Sequence, residues 1–134
     1  MHKKLNIESR LSNLRIVEKI IDEVTGEIGI TADNYGKILV SSLEAVNNAI
    51  LHGNNSNPEK SVSIEVFFEN NALKIIVTDE GNGFKPENVP DPTFPENIEE
   101  VNGRGVFLMS KLADEIKYNK IGNEVTMIFK NVKT

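Results

Sequence analysis

The sequence predicts an α+β protein, a two-layer sandwich with helices packed on one face of a mixed, largely antiparallel sheet. Three observations predict it. Two stretches near the start repeat apolar residues at helical spacing, and two runs after residue 60 alternate apolar and polar residues around a short turn. A third helical signal and two more short strands follow a long irregular stretch, so hairpins and helices are segregated rather than strictly alternating.

The elements run in order as follows. Residues 3 to 8 alternate in character and read as an edge strand. Ser12 is a candidate N-cap, after which Leu14, Val17, Ile20, Ile21 and Val24 recur at helical spacing, and Gly26 and Gly29 loosen the end. Thr31 or Asp33 can cap a second helix with Leu39, Leu43, Val46 and Ile50 as its apolar stripe. Gly53 stops it, and 54–58 form a loop. Ser61 to Glu69 carries Val62, Ile64, Val66 and Phe68 on one face, and Ala72 to Thr78 carries Leu73, Ile75 and Val77. Asn70-Asn71 between them reads as the tight turn of a hairpin. From Glu80 to Asn102, 23 residues with several glycines and prolines resist regular structure. Loops beyond ~12–15 residues are commonly functional lids or disorder. Helix signals return at Val106 to Leu112, and strands are expected near Glu115 to Tyr118 and Glu124 to Phe129.

Composition narrows the function. With 134 residues, one core and one domain are expected. A net charge of −5 argues against coating nucleic acid or anchoring on an acidic membrane. It leaves room for a nucleotide, since a few backbone N–H groups and one arginine can hold phosphates. Cysteine is absent, which excludes disulfides and thiolate metal sites. Histidine occurs only at positions 2 and 52, too few for a histidine-based zinc site without several carboxylates. No run has the length of a signal peptide's apolar region or a membrane span, so a cytoplasmic protein is the expectation.

Three constellations could carry chemistry. Glu44, Asn48 and His52 recur at i, i+4 and i+8, one stripe of the second helix nearly opposite its apolar stripe. A solvated helix face explains such a stripe. So does a carboxylate base above an amide that offers Mg²⁺ a neutral oxygen. His52 reads as a capping or hydrogen-bonding residue. Asp79-Glu80-Gly81-Asn82-Gly83-Phe84 follows a strand directly. It is either a common acidic turn or a carboxylate that accepts from an exocyclic amine beside glycines that let backbone approach a planar ligand. Gly103-Arg104-Gly105 precedes a helical run, where first-turn N–H groups favour a phosphate and Arg104 adds a charge-assisted contact; an ordinary surface loop is the plain alternative. Each signal is weak alone, but their order and spacing together are specific.

That order resembles the GHKL ATPases, whose Bergerat ATP-binding fold also serves gyrase, MutL and histidine kinases. Glu44-Ala45-Val46-Asn47-Asn48-Ala49 is similar to their N box, Asp79 to Phe84 to the first glycine box, and Gly103-Arg104-Gly105-Val106 to the second. Within that superfamily the chain most resembles the anti-sigma-factor serine kinases. His52-Gly53-Asn54 trails the N box, Val89-Pro90-Asp91-Pro92 lies in the lid, and the second box has the Gly-Arg-Gly form.

The resemblance implies a single histidine-kinase-like ATPase domain over 1–134, with an ATP lid at about 84–102. It implies ATP and Mg²⁺ as cofactors. Asn48 would ligate the metal and Glu44 would act as catalytic base. Asp79 would hold the adenine amino group, supported by Gly83 and with Gly81 in the same box, while Gly103, Arg104 and Gly105 would meet the phosphates. It further implies transfer of the γ-phosphoryl group to a serine of a small anti-anti-sigma protein, sequestration of a sigma factor, and a homodimer, with no direct nucleic-acid or membrane contact. Arg15 is similar in position to an arginine that touches sigma factor in relatives, although an exposed helix arginine accounts for it equally well.

Two points complicate the assignment. Relatives often have Gly-Thr-Thr before the last strand, where a threonine helps bind near adenine; here Asn123 and Glu124 follow Gly122, which puts that contact in question. A regulator that binds nucleotide and partner without phosphorylating is the alternative function. The catalytic domain of a histidine kinase is disfavoured because no helix bearing a phospho-accepting histidine precedes the N box. A gyrase-type DNA-coupled ATPase is disfavoured by the acidic charge and the lack of a transducer domain.

Overall fold

A computed structural model describes residues 1–81 and 112–134. The elements are β1 (His2–Glu8), α1 (Leu14–Ile28), α2 (Ala32–Asn48), β2 (Ser61–Glu69), β3 (Ala72–Thr78), β4 (Glu115–Tyr118) and β5 (Glu124–Lys130). A 3-10 turn (Leu11–Asn13) leads into α1, and a π-helical turn (Ala49–Gly53) prolongs α2. The sheet order is β1-β2-β3-β5-β4, and every pairing between the described strands is antiparallel. The expected α+β sandwich is therefore the fold observed. The expected helix at Val106 to Leu112, all but its last residue, and the lid at 84–102 lie outside the described residues.

Strand alternation builds the core. Val62, Ile64 and Val66 on β2, Leu73, Ile75 and Val77 on β3, and Val125, Met127 and Phe129 on β5 all point to the helices and are buried. Val17, Ile21 and Val24 of α1 and Ile38, Val46 and Ile50 of the α2 region close over them. Each such aliphatic side chain contributes about 1.5–3 kcal/mol of burial. The opposite sheet face is polar and mixed. There the His2 ring stacks on Phe67 at 4.3 Å, with Lys74 Nζ 4.8 Å from the same ring. In the β2–β3 hairpin Glu69 faces Ala72, and Asn70 and Asn71 take φ of 53° and 59°. Asparagine tolerates this left-handed pair, which matches the twist of the strands.

Two details differ from the sequence reading. Ser12 is not the cap of α1. It sits inside the 3-10 turn, and Asn13 occupies the cap position while its side chain donates to the Glu8 carbonyl at 2.9 Å. The buried stripe of α2 is also turned by roughly one residue's 100° step from the one expected. Ile38, Ser41, Ser42, Ala45, Val46, Ala49 and Ile50 are buried, whereas Leu39 and Leu43 are half-buried at its margin. Two serines at core-facing positions conceal that stripe from an apolar count. The other helix boundaries follow local chemistry. Thr31 caps α2, its hydroxyl accepting from the Asn34 amide at 3.4 Å, and Gly29 closes α1 at φ 81°.

Candidate functional site

The rotated stripe sets the environment of the N box. Asn48 is not on a fully solvated face but at the border of the buried one, and its Oδ1 is buried without a hydrogen-bond partner among the described residues. A buried carbonyl oxygen left unpaired is costly, and a bound ligand is one partner that would satisfy it. Its chemistry, a neutral hard oxygen, fits Mg²⁺. Glu44, one turn earlier on α2, is half-buried, and His52 is exposed. Among the described residues no group of three or more His, Asp or Glu is gathered as a metal cage.

The second part of the site lies at the end of β3. Asp79 is half-buried, and its Oδ1 accepts from the Gly81 N–H at 2.8 Å. Burial pushes its carboxyl above the ordinary carboxylate range, against the opposing pull of the Gly81 N–H and the charge of Lys60. The Asp79 backbone is tied to the β4–β5 turn. Its N–H donates to the Asn123 carbonyl at 2.9 Å, and Asn123 Nδ2 donates to the Asp79 carbonyl at 3.2 Å. Asn123 is itself held by Asn119, whose Oδ1 accepts from the amides of Gly122, Asn123 and Glu124 at 2.8, 3.0 and 3.2 Å.

The fold brings these two parts together. The π-helical turn carries α2 on to Gly53, and the Gly53 backbone lies directly against the Asp79 carboxylate and against Gly81. Asn54 follows, fully buried. Its Oδ1 accepts from the Glu80 N–H at 2.8 Å, and its Nδ2 donates to Ser9 Oγ at 2.8 Å and the Ser61 carbonyl at 3.0 Å. The Glu80 carboxylate accepts in turn from the Ser61 backbone N–H.

Of the expected site residues, Glu44 and Asn48 stand on α2, Asp79 and Gly81 at the end of β3, and Arg15 on α1, where it is exposed. Gly83, Gly103, Arg104 and Gly105 lie outside the described residues. Sequence reasoning gave no role to Ser9 or Asn119, read Gly53 as a helix stop and Asn54 as part of the loop and motif behind it, and noted Asn123 only as a departure from the family threonine. The His52-Gly53-Asn54 run was visible as a motif, but only contacts to residues far along the chain give it a purpose.

A family profile for the histidine kinase-like ATPase domain matches residues 7–129. The chain belongs to this family. This ATPase-domain protein is 30% identical to the anti-sigma F factor of Geobacillus stearothermophilus, over 93% of this chain and 87% of the relative. It is 32% identical to the anti-sigma F factor of Bacillus cytotoxicus, over 92% and 86%. It is 22% identical to the serine-protein kinase RsbW of Oceanobacillus iheyensis, over 96% and 85%. Its fold is similar to a crystal structure of the RsbU and RsbW domains of a Mycobacterium tuberculosis protein, with a TM-score of 0.71 at 15% identity. That likeness covers 97% of this chain and 32% of the solved one, and it supports the two-layer architecture.

Proposed function

We propose that this protein is an ATP-dependent serine-protein kinase that also acts as an anti-sigma factor. It transfers the γ-phosphoryl group to a serine of a small anti-anti-sigma protein and sequesters a sigma factor. The observation that carries the reading is Asn48, whose buried Oδ1 has no partner among the described residues and lies one helical turn beyond Glu44. The names of the relatives, anti-sigma F factor and serine-protein kinase, support the same reading.

Phosphoryl transfer depends on positioning and charge neutralisation more than on covalent chemistry from the protein. Mg²⁺, when bound, supplies that neutralisation on the phosphate oxygens. Asn48 offers it Oδ1. Glu44 takes the proton of the serine hydroxyl as the serine oxygen bonds to the γ-phosphorus and the bond to the β-γ bridging oxygen breaks, releasing ADP. Asp79 accepts from the adenine amino group, with Gly81 next to it at the strand end; the supporting role of Gly83 rests on its sequence. Gly103, Arg104 and Gly105 hold the phosphates, a role that rests on their sequence.

A partner surface is supported on α1, where Ile16 is 42% exposed beside Arg15, with Leu11 49% exposed just before the helix. We assign that face to sigma factor and place the protein in the cytoplasm as a homodimer. Among the described residues no helix is long and apolar enough to cross a membrane.

The test is a thermal melt with and without Mg²⁺–ATP, with ADP and GTP alongside, repeated on Asn48→Ala. A ligand at 100 times its Kd stabilises the native state by about 2.7 kcal/mol, a rise of several degrees in Tm. The reading expects a magnesium-dependent rise with adenine nucleotides that Asn48→Ala loses. No rise with any nucleotide would overturn it.

A further inference from the structure

Gly53 holds its place for space, not for torsion. Among the described residues the glycines with positive φ are Gly29 and Gly122, and Gly53 is not one of them. Alanine would fit its backbone conformation. The obstacle is Asp79. A Cβ built on Gly53 would lie 2.2 Å from Asp79 Oδ2, 2.3 Å from Cγ and 2.7 Å from Oδ1, all far inside van der Waals contact. A Cβ on Gly81 would in turn lie 1.9 Å from the Gly53 carbonyl oxygen. The carboxylate is therefore seated on bare backbone at the end of the α2 run, and both sides of the joint lack side chains.

The joint cannot slide apart. Asn54 is fully buried, and its Oδ1 holds the Glu80 N–H, one residue beyond Asp79, at 2.8 Å. Its Nδ2 is anchored at 2.8 Å to Ser9 Oγ, which itself donates to the Lys60 carbonyl at 2.7 Å. From the other side, Asn123 fixes the Asp79 backbone. With the main chain pinned on both flanks, a side chain at position 53 displaces the carboxylate rather than the strand.

We propose that Gly53 is a specificity-determining position, whose missing side chain sets where the Asp79 carboxylate stands and so sets the preference for adenine over guanine nucleotides. Asn54 acts through it as a positioning residue. The proposal rests on the reading that Asp79 receives the adenine amino group. A carboxylate shifted by an ångström or more loses that hydrogen bond. A site built to hydrogen-bond its ligand discriminates strongly only while the geometry holds.

The experiment measures ATP and GTP affinity by calorimetry for the wild type, Gly53→Ala, Asp79→Ala and the double variant, with circular dichroism and a melt on each. Gly53→Ala is expected to fold, since alanine is the better helix former. It is expected to lose at least about tenfold in the ATP-to-GTP affinity ratio. Asp79→Ala should lose as much, and the double variant no more than Asp79→Ala alone, because the two changes act through one contact. A Gly53→Ala protein that keeps the wild-type ratio while Asp79→Ala loses it overturns the proposal and leaves the adenine reading standing. A wild-type ratio in Asp79→Ala overturns both. If Gly53→Ala does not fold, the double variant decides. Recovery of a cooperative melt once the carboxylate is gone supports the proposal, and continued failure shows that the clash lies elsewhere and overturns it.

Discussion

Asp79 and Asn123 hold each other by a reciprocal pair of hydrogen bonds, the Asp79 N–H to the Asn123 carbonyl at 2.9 Å and Asn123 Nδ2 to the Asp79 carbonyl at 3.2 Å. Asn123 follows Gly122 directly before β5, where the resemblance implies a threonine. Its amide is used to brace the strand end from behind the carboxylate, and its Oδ1 accepts from Asn119 Nδ2 at 2.6 Å. Thr126, further along β5, pairs with Ile76 and Lys117 instead.

Asn123→Ala should remove the side-chain bond and keep the backbone one. The expected loss is about 0.5–1.5 kcal/mol of stability in a urea titration. It should come with weaker ATP binding, because the Asp79 backbone is braced on one side fewer. An unchanged midpoint would show that the Asn123 amide contributes nothing to the brace.

Glu44→Gln keeps the size and polarity of the half-buried side chain but cannot take the hydroxyl proton. ATP binding should persist, and transfer of labelled phosphate to a serine-bearing partner should fall by about 10²–10⁴-fold. Full transfer activity would remove Glu44 from the role of base.

Asp79 makes a pH prediction. Burial raises its carboxyl above the ordinary range. A carboxyl raised on folding favours the folded state below its unfolded pKa, and that contribution is lost as pH rises through the raised folded value. Nucleotide binding runs the other way, since only the ionised carboxylate accepts from the adenine amine without a competing proton. ATP affinity should therefore begin to fall, on acidification, at a pH above the ordinary carboxylate range. Asp79→Asn should bind adenine nucleotides more weakly and should lack this acid limb. Calorimetry across pH on both proteins checks it, and identical profiles would count against Asp79 as the adenine acceptor.

Asn54→Ala should be among the more destabilising polar substitutions in the chain. It strands the Glu80 N–H and the Ser61 carbonyl beside a fully buried position. Leaving such groups unsatisfied costs about 1–3 kcal/mol, read directly by chemical denaturation. A change within about 0.5 kcal/mol, as at an ordinary surface position, would mean that the network relaxes around the loss.

Much of the fold was legible because its signals are local. The alternation of Val62, Ile64 and Val66 with polar neighbours marks a strand with one buried face, and Asn70-Asn71 marks the turn that pairs it with Leu73, Ile75 and Val77. The α2 stripe was misplaced for an equally local reason. Ser41 and Ser42 look like surface residues, yet they are fully buried, and their hydroxyls have no partner among the described residues. That shift bears on the site, because the Glu44–Asn48–His52 stripe had both a solvated-face and a metal-ligand reading, and the turned stripe brings Asn48 to the border of the buried face with its Oδ1 buried.

Among the described residues, the sequence by itself determined the element order and the sheet-forming runs, which follow from periodicity, a property of neighbours along the chain. Its motifs carried the resemblance to the family, and that resemblance singled out Glu44, Asn48 and Asp79 as candidate residues. Only the tertiary structure decided that Gly53 is a seat for Asp79, that Asn54 joins Ser9, Ser61 and Glu80, and that Asn123 stands in a bracing role. Those contacts span from 7 to 45 residues of sequence, and steric exclusion and hydrogen bonding act on distance in space, which no local pattern encodes.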